Sequence, residues 1–359
     1  AWGNTNNSSL SAYKYQITGN VSDSVTGGTI HASVKILEMD GGVLKPRFTD
    51  NFGRYRRLLN EGNYTLIISA EGYEGYEQSF YSSESEVTEH DVVLNPSPIH
   101  NLTLDITSPN EFPGPFQLIR QTELLTDTLE LVLGENQFSW FEGVYRLIVI
   151  YEGLSPAVTD LSFTSDHTIS VNLIEPEIIF EETFDNLENW SGDPWWHASG
   201  VLSSQSDLTY NDSLVSLLTS SQSILEEEDT QAVFEVSLRY EVEWDLDTLS
   251  LGLWNVNQNQ TNWVKHWTDQ NWIEHTEYIP VTIESGINYL PIIRLITDGS
   301  VGYRGVEIDY ITLIINSGEV LNNIEIEYST NWNLIGLPLV ISDNFYAAVF
   351  PDAIENTLY

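Results

Sequence analysis

Apolar and polar residues alternate with a period of two along most of this chain, in runs too short for helices. Tyr15-Gln16-Ile17-Thr18-Gly19-Asn20-Val21 alternates as a strand does. Ser24-Val25-Thr26-Gly27-Gly28 reads as a turn, and residues 32–37 as the next strand. In residues 46–73 the punctuation is dense. Asp50-Asn51-Phe52-Gly53 is a turn, because Asp and Asn side chains bond their own backbone and Gly takes positive φ without a clash. A strand over 55–59, a turn at Asn60-Glu61-Gly62-Asn63 and a β-branched strand over 64–70 follow, so the stretch predicts an antiparallel meander.

The same style continues downstream. Residues 89–94 close a first domain, expected over 13–95, and Asn95-Pro96-Ser97-Pro98 reads as an extended linker. Strands predicted over 102–106, 116–120, 129–133, 145–151 and 168–174 argue for a second sandwich, Ig-like in style, over 96–177. Residues 178–318 predict a larger, Trp-rich third domain. Residues 319–359 carry a strand at Ile324-Glu325-Ile326-Glu327-Tyr328 and an apolar run after it, too few strands to bury both faces. The fold class expected is all-β: tandem sandwiches with an incomplete C-terminal β unit, and an arm over residues 1–12.

Composition narrows the function. Thirteen basic residues against 53 acidic give a formal charge of −40. A phosphate backbone needs a basic surface, so nucleic acid is excluded as a partner. Apolar runs fall short of the roughly 18 residues of a membrane span, so no membrane insertion is expected. With no cysteine there is neither a disulfide framework nor a thiolate nucleophile. Ala1-Trp2-Gly3-Asn4 does not read as a translation start, so a processed or partial product is expected.

Residues 13–95 carry Gly19-x-Val21-x-Asp23…Thr26-Gly27, Ile30-His31-Ala32-Ser33-Val34, Thr49-Asp50…Gly53-x-Tyr55 and Gly62-x-Tyr64…Ala70-x-Gly72-Tyr73. On these residues the stretch resembles the carboxypeptidase regulatory-like domain, a transthyretin-like sandwich. Pro46-Arg47-Phe48 onward is similar to the version that follows the catalytic domain of secreted zinc carboxypeptidases. The resemblance implies an accessory module in an extracellular or cell-surface protein. Phe180-Glu181-Glu182-Thr183-Phe184-Asp185, with Gly305-Val306-Glu307-Ile308-Asp309-Tyr310-Ile311 far downstream, resembles the MAM-like jelly-roll modules of bacterial secreted peptidases. Asp309-Tyr310 stands where that family often has Asp-Asp, which weakens a carry-over of metal ligands.

Catalytic signatures are missing. No histidine lies in an H-E-x-x-H context, and there is no G-x-S-x-G, P-loop or dinucleotide fingerprint. The chain is therefore expected not to be an enzyme and to need no cofactor, save a structural calcium on Glu182, Asp185 and Asp309, where first and last strands of the jelly roll meet. The tryptophans allow either core packing or a glycan face, with Trp195, Trp196, Trp267 and Trp272 as the candidates for the latter.

The incomplete C-terminal unit invites strand donation. Trp2 and Leu10 in the arm are the expected donor, with Leu334, Ile335, Leu337 and Leu339 on the acceptor. Such a contact is heterologous and propagates. The expected function is a non-catalytic extracellular filament subunit that partners copies of itself. The alternative is the glycan-binding accessory tail of a secreted carboxypeptidase, with a polysaccharide as partner.

Overall fold

The computed structural model describes residues 16–38, 43–83, 86–109, 115–192, 196–204, 209–210, 213–299, 302–316 and 321–322. These residues are all-β, without a helix, and form six sheets paired face to face as sandwiches.

The first sandwich contains β1 (Ile17–Asp23), β2 (Ser33–Glu38), β3 (Val43–Phe48), β4 (Arg54–Arg57), β5 (Gly62–Ser69), β6 (Tyr76–Ser82), β7 (Thr88–Glu89) and β8 (Val92–Leu94). One sheet runs β4-β1-β7, with β8 also on β1; the other runs β3-β2-β5-β6. Ile17, Val21, Val34, Ile36, Leu66 and Ile68 fill the space between them. The meander expected over 46–73 is not formed. β4 pairs with β1, whereas β5 pairs with β2 and β6, so the turn between them crosses from one sheet to the other. The Asp23 carboxylate closes the next turn by accepting Val25 N and Thr26 N, both at 2.7 Å, and the Tyr73 hydroxyl at 2.6 Å. Led by the Tyr73 bond, these donors hold its pKa at about 2.

The second sandwich contains β9 (Ile99–Thr107), β10 (Phe116–Gln121), β11 (Thr126–Leu131), β12 (Gly134–Phe141), β13 (Gly143–Ile150), β14 (Ala157–Phe163) and β15 (His167–Asn172). Its sheets run β11-β10-β13-β14 and β12-β9-β15, the latter extended by β27 (Leu321–Asn322). β12 and β14 were not among the expected strands. In β12 every other residue is half-exposed, so its apolar signal is weak. The segment at 95–98 is no free linker: Asn95 O accepts Glu74 N and Ser97 N donates to Gly72 O, each at 2.9 Å.

The third sandwich contains β16 (Ile178–Glu182), β17 (Trp190–Gly192), β18 (His197–Ala198), β19 (Leu202–Ser203), β20 (Val215–Ser220), β21 (Thr230–Glu241), β22 (Thr248–Asn255), β23 (Gln260–Trp267), β24 (Gln270–Ile283), β25 (Tyr289–Ile296) and β26 (Gly305–Ile315). One sheet runs β18-β19-β26-β21-β24, with β16 also on β26; the other runs β17-β20-β25-β22-β23. Phe184, Phe234, Leu238, Leu249, Leu295 and Leu313 lie in the core between them.

Two seams join consecutive sandwiches. At the first, Phe141 packs so closely on Gly72, at φ +80°, that a Cβ there would stand 2.8 Å from its ring. At the second, Ile148, Val158 and Val233 form a small separate cluster. On β13, Tyr145, Leu147 and Val149 point into the second core, so Ile148 points outward; it is buried only because the third sandwich covers it. Asn316 seals this seam: its Oδ1 accepts Val158 N at 2.9 Å and its Nδ2 donates to Val158 O at 3.1 Å.

Candidate functional site

The outer face of the β17-β20-β25-β22-β23 sheet follows from strand alternation. Leu249, Leu251 and Leu253 of β22 all point into the core, which turns Ser250, Gly252 and Trp254 outward. Register places His266, Trp263 and Thr261 of β23 opposite these three, and Arg294, Ile292 and Leu290 of β25 on their other side. The nearest edge atom of Trp263 lies 2.9 Å from where a Cβ on Gly252 would stand, so the absent side chain lets the indole lie on the sheet. The Arg294 guanidinium stacks 4.0 Å from the Trp263 ring centroid. His266 Nδ1 meets Ser250 Oγ at 2.9 Å. Burial, and then the charge of Arg294, hold the His266 pKa below its ordinary value, so the imidazole is neutral at pH 7. β20 extends the apolar part with the exposed side chains of Val215 and Leu217. The face thus combines two half-buried indoles with a cation and an imidazole, which rests on the buried Ser250 hydroxyl. Flat apolar rings flanked by fixed polar groups suit a ligand that is itself a flat ring with polar edges.

The tryptophans expected to bind glycan lie elsewhere. Trp195 falls outside the described residues. Trp196 and Trp267 are core residues, 3% and 4% exposed, and present no face to a sugar. Register explains Trp267: it sits opposite Leu249, which points inward, and its indole N–H donates to Glu277 Oε1 at 2.8 Å. Trp272 is half-buried on β24, in the opposite sheet, with Arg239 at 5.2 Å and Arg304 at 5.4 Å from its ring. Trp254 and Trp263, which do share the outer face, are not among the residues expected to bind glycan. The signal was present in Leu249-Ser250-Leu251-Gly252-Leu253-Trp254, whose alternation sends Trp254 opposite to the leucines.

The expected calcium ligands do not converge either. Glu182 binds its own turn, accepting Phe184 N at 2.8 Å and Trp190 Nε1 at 2.9 Å. Asp309 accepts Ser237 Oγ at 3.2 Å, and Asp185 is exposed. Among the described residues the acids that do gather are Glu243, Asp247 and Asp298, with ligand oxygens within 4.8 Å of one another. Asp247 is 1% exposed. Its carboxylate accepts Asp298 N at 2.7 Å, Glu243 N at 3.4 Å and the Tyr210 hydroxyl. Three carboxylates of this kind are the hard donors a divalent cation takes. The arm residues Trp2 and Leu10, and Leu334, Ile335, Leu337 and Leu339 of the expected acceptor, lie outside the described residues.

Residues 16–95 match the carboxypeptidase regulatory-like domain family. No curated protein matches the chain. Among solved structures, a streptococcal ancillary pilin is similar at 12% identity and a TM-score of 0.29; the match covers 46% of this chain and 63% of the pilin. A family 29 carbohydrate-binding module is similar at 10% identity and a TM-score of 0.25, over 40% of this chain and 88% of the module. A shaft pilin from Lactobacillus rhamnosus GG is similar at 8% identity and a TM-score of 0.22, over 46% of this chain and 99% of the pilin. The likeness to pilins and carbohydrate-binding modules is distant.

Proposed function

We propose that this chain is a non-catalytic extracellular protein whose third sandwich holds a polysaccharide on the outer face of the β17-β20-β25-β22-β23 sheet. The observation that carries this reading is the sharing of that one face by Trp254 and Trp263 with Arg294 and His266. Sugar rings offer apolar C–H faces to the indoles and hydroxyl edges to the polar groups. Location outside the cell rests on the resemblance of the first domain to modules of secreted proteins. Affinity electrophoresis and calorimetry against a panel of neutral polysaccharides test the reading. Trp254→Ala and Trp263→Ala are each expected to weaken binding at least about tenfold, the loss of about 1.4 kcal/mol typical of a truncated aromatic anchor. Trp272→Ala is expected to leave it unchanged. Absence of binding across the panel, or full binding by both variants, overturns the reading.

A second reading is a tension-bearing subunit of a surface filament. The apolar seams at Gly72–Phe141 and Ile148–Val158–Val233 favour it, because sandwiches fixed to one another transmit tension without sagging at a linker. Strand donation by residues 1–12 is the assembly route this reading proposes. Deleting them should then leave folded monomers, and polymers that persist would count against it.

A further inference from the structure

The chain has 53 acidic residues, yet the strands of the sheet that carries the indole face, β17, β20, β22, β23 and β25, contain none of them. The facing sheet of the same sandwich is the contrast. Its strands β21, β24 and β26 carry Glu235, Glu241, Glu274, Glu277, Glu307 and Asp309. Two basic residues stand on the acid-free sheet. Lys265 lies opposite the inward Leu251 and pairs with Glu277 at 3.0 Å. Arg294 points outward, between Leu217 of β20 and Ser250 of β22. With His266 neutral, the charge that these strands present on the outer face at pH 7 is that of Arg294.

Arg294 also differs from most cations of this chain in its surroundings. Arg54, Arg120, Arg146, Arg239, Lys265 and Arg304 each have a carboxylate at ion-pair distance. Among the described residues Arg294 has none. Its Nη2 donates to Ser250 Oγ at 3.5 Å, its Nε is buried without an acceptor, and its guanidinium lies 4.0 Å from the Trp263 ring centroid. A hydroxyl and a ring face orient the guanidinium without neutralising it. Burial pulls its pKa below the ordinary value, as it does for a cation held where charge is costly. An acid at a neighbouring strand position would remove that cost, and none is there.

We propose that the polysaccharide held on this face is acidic: a uronic acid ring seats on the indoles and its carboxylate binds the Arg294 guanidinium. The inference rests on the reading of this face as a glycan site and names the class of sugar. A guanidinium held against the Trp263 ring stands beside any sugar seated on that indole, and arginine is the side chain best suited to a planar carboxylate. The absence of acids from the surrounding strands spares the ligand's carboxylate a like charge at close range. Neutral sugars keep the stacking contact and lose the ion pair, so they bind the same face more weakly.

Calorimetry of the full chain tests this with matched polymers: polygalacturonate, polyglucuronate and polymannuronate, each beside its carboxyl-reduced form. The two members of a pair share linkage and ring, and differ in the carboxylate. Salt is held at about 0.15 M, where a Debye length of about 8 Å screens the chain's charge of −40 and spares a contact pair. At least one acidic polymer is expected to bind at least about tenfold more tightly than its reduced form, the gain typical of a hydrogen bond to a charged group. Equal affinity within every pair, with Trp254→Ala and Trp263→Ala still weakening both forms, overturns the proposal and leaves the glycan face standing. No binding of either form overturns the face itself, and the proposal with it. Arg294→Gln should bring the two affinities of a pair together, whatever it costs the reduced polymer, and Arg294→Lys should restore part of the difference. Arg304→Gln removes the same charge from the opposite sheet and should leave the difference as it is. A preference that survives Arg294→Gln, or that Arg304→Gln abolishes equally, overturns the proposal. Polyglutamate that binds through Arg294 as tightly as the best uronate polymer would make the occupant an acidic peptide and overturn it too.

Discussion

Glu277 shows how much a single buried residue settles in this protein. It sits opposite Val236, an inward position on β24, and so enters the core of the third sandwich as a charge. Burial works to raise its pKa. Hydrogen bonding from His275, the charge of Lys265 and the Trp267 indole N–H overcome that and lower it from 4.5 to about 2. Lys265 Nζ lies 3.0 Å and His275 Nε2 3.3 Å from the carboxylate. Lys265 and Trp267 come from the facing sheet, so the carboxylate ties the two layers together. A depressed carboxylate stabilises the fold fully above its unfolded value and loses that contribution as pH falls through the folded one. For a downward shift of this size the contribution is roughly 3 kcal/mol. Thermal melts should therefore show stability falling between pH 4.5 and about 2. Glu277→Gln should flatten that dependence and lower stability at pH 7 by about 2–3 kcal/mol, since Lys265 is left half-buried without its partner. An acid limb as steep as that of the parent would reject this assignment. His275 works in the opposite sense: Glu277 raises its pKa, so its contribution is present below its usual 6.5 and is lost as pH rises through the raised value. Little of this was legible beforehand. The sequence offers 53 acids, and nothing local distinguishes Glu277 from the solvated ones.

At the scale of elements, β1 shows what a motif glycine does. A Cβ on Gly19 would stand 1.8 Å from the carbonyl oxygen of His90, the same oxygen that accepts the Tyr55 hydroxyl at 2.6 Å. The glycine lets the 90–91 segment cross beside β1, and the tyrosine from β4 fastens it there. Gly19→Ala is expected to cost about 1–3 kcal/mol, as overpacking does, because the obstacle is backbone and cannot rotate away. Chemical denaturation of the full chain and of this variant measures the difference; equal midpoints would mean the crossing yields freely. Sequence reading found Gly19, Tyr55 and the turn at Asp50–Gly53 as parts of one pattern. The strand expected after that turn, over 55–59, forms as β4 (Arg54–Arg57) but in the other sheet, and β3 before the turn was not among the expected strands. Period-two alternation says that one side of β4 is buried, but not that its pairing strand is β1, more than 30 residues upstream.

Over the whole molecule the seams matter most. Val233 is an outward residue of β21 that is nevertheless fully buried, against Ile148 and Val158. Val233→Asp should spare the core of the third sandwich and open the seam, since an unpaired charge cannot stay buried there. Native-state proteolysis between β15 and β16 is expected to accelerate at least about tenfold, a change of about 1.4 kcal/mol in the opening equilibrium. Cleavage at the parent rate would show that the seam does not hold the two sandwiches together.

From its sequence alone this protein is an all-β chain of short strands, with a carboxypeptidase regulatory-like domain over residues 16–95. Those properties are written in local alternation and turn residues, which act over a few residues. Tertiary structure decided which tryptophans face outward and which acids gather. Gly252, Trp263 and Arg294 meet through strand register, and Glu243, Asp247 and Asp298 meet across a sheet end. Long-range pairing determines those meetings, and alternation fixes the two faces of a strand without saying which neighbour covers either one.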